Sequence, residues 1–156
     1  MAFGPKALAS LGLTARGRVN PEVTGLAVDS REVRDGFLFA AMPGTRVHGA
    51  EFIQYALRQG AVAILTDAQG AKIAADVLAD SGAAVIVAEH PREALARAAA
   101  LWFGAQPGTM VAVTGTNGKT SIANWLAQAI SAHGIRRAAV GTLGVSLGKQ
   151  TWTTNN

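Results

Sequence analysis

Four short apolar runs, at residues 24–29, 36–41, 61–66 and 83–89, constrain the fold more than anything else in the chain. Each has strand length and is bounded by polar, Gly or Pro residues. The segments between them carry helical spacing instead. Residues 50–59 place Phe52, Ile53, Ala56 and Leu57 on one helical face, and Gly60 follows where a helix C-cap favours glycine. Residues 73–78 read as a further helix. Pro91 sits where a helix can start, ahead of an Ala-rich helix over 92–103. Strands alternating with helices predict an α/β class.

Gly104, Ala105, Gln106, Pro107 and Gly108 then interrupt the pattern. A domain boundary is expected there, giving one domain over 1–106 and a second over 107–156. In the second, residues 110–114 read as a strand. A Gly-rich turn follows, then a helix over 119–133 capped by Gly134, then a strand over 136–141. That order predicts the start of a parallel βαβ unit of P-loop type. One such unit cannot bury a parallel sheet, so the second domain reads as the beginning of a larger one. No further repeat is expected over 142–156. Trp102, Phe103 and Trp125 sit at helical spacing among apolar neighbours and are expected in the core.

Composition excludes several classes. Apolar residues make up 49% and charged residues 15% of the 156, against about 25% charged in average proteins, which argues against disorder. The net charge is +4, but the basic residues are scattered, with Arg136 and Arg137 as the one adjacent pair, and there is a single Tyr. Nucleic-acid binding favours a basic stripe with stacking aromatics, so no nucleic-acid partner is expected; an anionic small molecule suits the charge as well. There is no Cys, which removes disulfides, zinc–thiolate sites and a cysteine nucleophile. No secretory leader and no apolar run of about 18 residues is present, so no membrane insertion and a cytoplasmic location are expected. Glu22, Glu32, Asp35, Glu51 and Asp67 form no recognisable paired-carboxylate motif.

The chemistry is concentrated between the strand at 110–114 and the following helix, in Gly115, Thr116, Asn117, Gly118, Lys119, Thr120 and Ser121. This context is what a phosphate-binding loop requires. Gly115 and Gly118 let the backbone approach a phosphate, and the N–H groups at the helix start point at the anion. Lys119 can reach the terminal phosphates, and the Thr120 hydroxyl suits Mg²⁺. Val113 stands where the general pattern G-x-x-x-x-G-K-[ST] has its first Gly. A P-loop kinase, which would carry that Gly, and a non-catalytic nucleotide-binding module remain as alternative readings.

The run from Thr114 to Thr120 resembles the ATP loop of the Mur ligase family, which builds the peptide of bacterial cell-wall precursors. The first domain adds to the resemblance: Asp29, Ser30 and Arg31, then Asp35 with Phe37 and Phe39, then Pro43 and Gly44, His48 and Gly49, and Phe52 and Ile53. These short motifs, in this order, are similar to the member that adds the third peptide residue. The member acting at the next step, which adds D-alanyl-D-alanine to the tripeptide, shares the Asp-Ser-Arg turn and stays open. By itself that turn reads as a plain turn with a solvated ion pair.

The resemblance implies an ATP-dependent amide-bond ligase with ATP and Mg²⁺ as cofactors and two substrates. One is UDP-N-acetylmuramoyl-dipeptide; the other is an amino acid, diaminopimelate or lysine. It implies that the precursor carboxylate becomes an acyl phosphate, which the incoming amine then attacks. Lys119 would be catalytic, residues 115–121 would bind ATP, and Thr120 would hold the metal. Val28 and Ser30 would meet the uracil end of the precursor, with Thr45, Arg46 and Val47 against the same nucleotide. Thr153 and Thr154 would correspond to a Thr-Thr pair that touches the sugar nucleotide. The family has Asp at the position of His48, and His48 is assigned no role. The family's Glu and His for Mg²⁺, its carbamylated Lys and its amino-acid-binding domain would follow residue 156. The chain is therefore expected to be an N-terminal fragment of a three-domain ligase, inactive without its C-terminal domains.

Overall fold

The computed structural model describes residues 4–148 and 150–153. Two compact units divide the chain, one ending at Gln106 and the other starting at Pro107.

In the first unit, four strands form one parallel sheet in sequential order: β3 (Gly25–Ala27), β4 (Phe37–Ala40), β5 (Ala63–Thr66) and β6 (Ala84–Val87). A short antiparallel pair precedes it, β1 (Lys6–Ala7) with β2 (Glu22–Val23). Successive side chains along a strand face opposite ways, and each face has its own core. On one face Leu38, Ala40, Ala63, Leu65, Ala84 and Ile86 pack with Leu8, Leu11, Val23, Ala98 and Trp102. On the other, Ala27, Phe39 and Ile64 pack with Val33, Ile53 and Ala56. Both faces are covered, so the strands are apolar apart from the buried Thr66 at the end of β5.

The helices are α1 (Ile53–Arg58), α2 (Ala68–Ile73), α3 (Ala75–Asp80) and α4 (Pro91–Phe103). The helix expected over 73–78 is two short helices meeting at Ala74, and the first begins at an Asp67 N-cap. The helix expected over 50–59 opens as a 3₁₀ turn, Gly49–Phe52, which leaves Phe52 exposed while Ile53 and Ala56 are fully buried. Pro91 occupies the first turn of α4, where its missing N–H costs nothing.

Residues ahead of the first sheet strand contribute more core than their sequence suggests. Leu8 and Leu11 are fully buried, and a 3₁₀ turn over Leu8–Leu11 carries both. The Lys6 ammonium donates to the carbonyls of Leu101 (2.7 Å) and Trp102 (2.9 Å), closing the C-terminus of α4.

The second unit is built differently from expectation. Its helix α5 (Lys119–Ala132) is followed by an antiparallel meander of β7 (Ala138–Gly141), β8 (Gly144–Leu147) and β9 (Gln150–Trp152). Residues 110–114 form no strand, so no parallel βαβ pairing is made here. A strand exists only against a partner, and β7 pairs with β8. The last two strands lie where no element was expected. Ala127 and Gly144 are the buried residues of this unit among those described. Trp125 is accordingly 67% exposed, against 4% for Trp102, and Phe103 is exposed too. The core expectation thus holds for Trp102 alone of the three.

Two outcomes follow from the first unit. Phe39→Ala opens a cavity under α1 and should cost about 3–5 kcal/mol in a chemical unfolding measurement. The turn after β3 supplies the second. Asp29 accepts from the backbone N–H of Arg31 (2.9 Å) and pairs with its guanidinium. The Arg31 side chain, then its backbone N–H, hold the Asp29 carboxyl down to about 2. A lowered folded-state value means that the turn's stabilisation is present above the ordinary carboxyl value and is lost as pH falls through about 2. Carboxyl NMR titration should find Asp29 near that value, and Arg31→Ala should return it toward about 3.9.

Candidate functional site

All four strands of the parallel sheet point the same way, so their carboxyl ends share one edge. Ligands of α/β sheets bind at such an edge. Two groups of precursor candidates lie there. Val28 and Ser30 directly follow β3, with Val28 exposed and Ser30 nearly buried in the 3₁₀ turn Ser30–Glu32. Thr45, Arg46 and Val47 lie in the loop that follows the neighbouring strand β4, and all three are exposed.

That loop is built to hold its tip in place. The Gly49 N–H donates to the Met42 carbonyl at 2.8 Å, which draws the two ends of the loop together. Arg92 of α4 donates to the Pro43 carbonyl at 2.7 Å. At the base, the Thr66 hydroxyl donates to the Ala41 carbonyl at 2.9 Å, so the buried polar side chain of β5 pins the end of β4.

His48 is also part of this frame, and sequence reasoning missed it. Its side chain is 8% exposed. The Nδ1 atom accepts from the Ala50 N–H at 3.0 Å, starting the 3₁₀ turn, while Nε2 lies 3.1 Å from Asp67 Oδ1. Asp67 in turn caps α2 through the Gly70 N–H at 2.7 Å. That backbone contact, ahead of the His48 contribution, holds the Asp67 carboxyl below its ordinary value. A histidine directly before the 3₁₀ turn, as its N-cap, is a local signal that sequence can carry; its distant Asp partner is not.

The second unit holds the phosphate-loop candidates. Gly118 is the N-cap of α5 and takes a left-handed conformation (φ 77°), which a side chain would strain. Gly115 also has positive φ. No side chain caps the first amides of α5, and its first turn contains no acidic residue. A 14-residue helix therefore presents bare N–H groups and its positive end to this loop. The Lys119 ammonium lies back over the loop, donating to the carbonyls of Gly115 and Thr116. Thr116, Asn117, Thr120 and Ser121 are exposed around it.

The Thr120 hydroxyl lies 3.4 Å from the Thr142 hydroxyl, just beyond the end of β7. Thr142 directly follows the strand expected over 136–141, but no local pattern joins it to Thr120, 22 residues away. Beside them a hollow of about 220 Å³ is lined by Thr120, Asn124, Gly141, Leu143, Ser146 and Thr151. Thr153 follows β9 and is exposed, and Thr154 lies outside the described residues.

This donor set fits a bound polyphosphate: an uncapped helix start, two positive-φ glycines, one flexible cation and no competing carboxylate. It offers Mg²⁺ one hydroxyl, Thr120. Among the described residues no group of three or more His, Cys, Asp or Glu comes together to complete a protein-only metal site. That suits a cation bound largely through phosphate oxygens and water.

Known proteins match both units. The family model described as the Mur ligase family, catalytic domain, matches residues 22–103, and that of the Mur ligase middle domain matches 113–156. The UDP-N-acetylmuramoyl-L-alanyl-D-glutamate–2,6-diaminopimelate ligase of Caulobacter vibrioides is 45% identical over 126 residues, covering 81% of this chain and 24% of that protein. The Zymomonas mobilis ligase of the same name is 43% identical over 142 residues, covering 91% and 27%. A solved structure of a ligase with that name superposes with a TM-score of 0.60 at 28% identity, over 83% of this chain and 26% of its own. The MurF ligase of Thermotoga maritima, solved in complex with ADP, gives 0.50 at 34% identity over 69% and 23%. The chain spans about a quarter of the length of the curated relatives it matches. With the first family model alone matching more than half of its residues, the chain belongs to the Mur ligase family.

Proposed function

We propose that this chain supplies the precursor-binding domain, residues 1–106, and the start of the ATP-binding domain, 107–156, of a peptidoglycan-precursor ligase. The enzyme would join a third amino acid to UDP-N-acetylmuramoyl-dipeptide at the expense of ATP. The observation that carries the reading is the loop Gly115 to Ser121, set on the uncapped start of α5 with Lys119 over it. The names of the relatives support the choice of substrate and favour 2,6-diaminopimelate over lysine as the amine. An ATP-driven reaction on a UDP-linked precursor belongs in the cytoplasm. Among the described residues no helix is long and apolar enough to cross a membrane.

In this reading the amides at the start of α5 and those of Gly115 to Gly118 bind the ATP phosphates. Lys119 exchanges its loop carbonyls for β- and γ-phosphate oxygens and offsets charge as the precursor carboxylate is phosphorylated. Thr120 is the protein ligand offered to Mg²⁺, which when bound draws charge off the same oxygens. Ser121 adds a hydroxyl. At the other site Val28 and Ser30 meet the uracil, and Thr45, Arg46 and Val47 lie along the nucleotide. Thr153 and Thr154 are proposed to bear on the sugar end. By the family resemblance the remaining metal ligands lie in the rest of the central domain and the amino-acid pocket in a C-terminal domain, so the chain alone is proposed to be inactive.

Two substitutions in the full-length ligase test these assignments. Lys119→Ala should lower turnover by about 10²–10³, and near-normal turnover would remove Lys119 from the reaction. Ser30→Ala should weaken precursor binding several-fold and leave ATP affinity unchanged, since the two sets of residues lie in different units. Equal losses in calorimetric titrations with precursor and with ATP would contradict separate sites. Acceptance of dipeptide but not tripeptide precursor separates this enzyme from the ligase of the following step.

A further inference from the structure

We propose that His48 is a positioning residue for the precursor loop: its neutral imidazole, fixed as the Nε2–H tautomer, ties the loop of Thr45, Arg46 and Val47 to the start of α2, and precursor affinity falls when the ring is protonated. The proposal rests on the reading of that loop as a precursor site.

The geometry sets the tautomer. The Ala50 N–H can only donate, so Nδ1, 3.0 Å away, must be the bare nitrogen. The ring proton is then on Nε2, where it is donated to Asp67 Oδ1 at 3.1 Å. The same carboxylate oxygen takes the Gly70 N–H. A single ring therefore bridges the loop's return, the 3₁₀ turn Gly49–Phe52 and the α2 cap. The ring also has little freedom. A Cβ at Gly70 would come within 2.6 Å of His48 Cε1 and 2.1 Å of the Thr66 hydroxyl, so α2 approaches the imidazole as closely as glycine allows.

Protonation pulls this arrangement in two directions. Imidazolium strengthens the contact to Asp67, but it places an Nδ1–H against the Ala50 N–H, where two donors cannot bond. The ring would stay beside Asp67 while Ala50 loses its acceptor and the backbone from Val47 to Ala50 must rearrange. Asp67, from the β5–α2 junction, is the charged group in contact with the ring. α2 presents Gly70 there, and β5 presents the neutral Thr66. Nearby along the chain, Arg46 and Glu51 are exposed, and Arg92 of α4 reaches the loop through the Pro43 carbonyl.

The test is a calorimetric titration of the full chain with UDP-N-acetylmuramoyl-dipeptide between about pH 8 and about pH 5.5, a span over which imidazole changes charge. The doubly esterified pyrophosphate of this probe keeps its charge throughout. Wild-type affinity should fall about tenfold across the span, the size of one lost hydrogen bond. Side-chain ¹⁵N shifts at the upper pH should show the Nε2–H tautomer. His48→Asn keeps an acceptor for Ala50 without reaching Asp67, so its affinity should be about tenfold weaker than wild type at the upper pH and flat below it. A flat wild-type profile, an Nδ1–H tautomer, or a wild-type slope retained in His48→Asn would overturn the proposal. Absence of wild-type binding with the Nε2–H tautomer intact would overturn the precursor reading itself, and the inference with it. The wild-type profile and the ring shifts need no variant, so the test survives a folding failure of His48→Asn.

Discussion

Burial of the parallel sheet on both faces is the constraint from which the rest of the first unit follows. A sheet covered by α1 on one side and by α4 with the N-terminal turns on the other has no room for polar side chains along β3 to β6. Thr66 is the exception, and its hydroxyl is consumed by the Ala41 carbonyl. Polar chemistry is pushed to the strand ends. Because the strands are parallel, it collects at one edge, and Ser30, the Thr45 to Val47 loop and Asp67 all follow carboxyl ends.

The second unit shows what happens without that constraint. β7, β8 and β9 satisfy their backbone groups locally in an antiparallel meander, which needs only tight turns. Val140, Leu147 and Trp152 on these strands remain exposed, as do Met110, Ile122 and Trp125. The proposed phosphate loop nevertheless needs little from the surrounding core. Its shape rests on the left-handed Gly118 and the first turn of α5.

What the sequence made legible divides along the same line. β3 to β6 and α4 could be read because double burial leaves an unbroken apolar run and a Pro-started, Ala-rich helix. The backbone of the proposed phosphate loop could be read, because Gly115 and Gly118 stand where positive φ is needed and the helix starts at Lys119. Pairing was not legible: residues 110–114 have strand composition, but composition does not say whether a partner is adjacent. Leu8 and Leu11 could not be read as core, because a short 3₁₀ turn has too few residues to show a period. Trp125 has core spacing, and spacing cannot say whether a core exists on that side. His48 and Asp67 are 19 residues apart, and no local pattern joins a loop histidine to a helix cap in the next βα unit.

The proposed precursor edge raises a problem of charge, and its geometry contains an answer. Two aspartates stand at the carboxyl end of the sheet, where a nucleotide's pyrophosphate would be repelled by free carboxylates. Neither is free. Asp29 is turned back onto the Arg31 backbone and guanidinium, and Asp67 onto the Gly70 N–H and the His48 ring. Each carboxylate is thus spent on holding a turn and faces donors of its own chain. The two depressed titrations have this common origin. Arg46 at the loop tip is left as an exposed cation without an acidic partner in its own loop. The edge can thereby carry acidic residues for structure and still favour an anion. The same logic governs α5, whose first turn has no acid at all. In the first unit Asp29 and Asp67 are each turned onto donors of their own chain, in the second the first turn of α5 carries no acid, and beside each proposed phosphate site stands one exposed cation, Arg46 or Lys119.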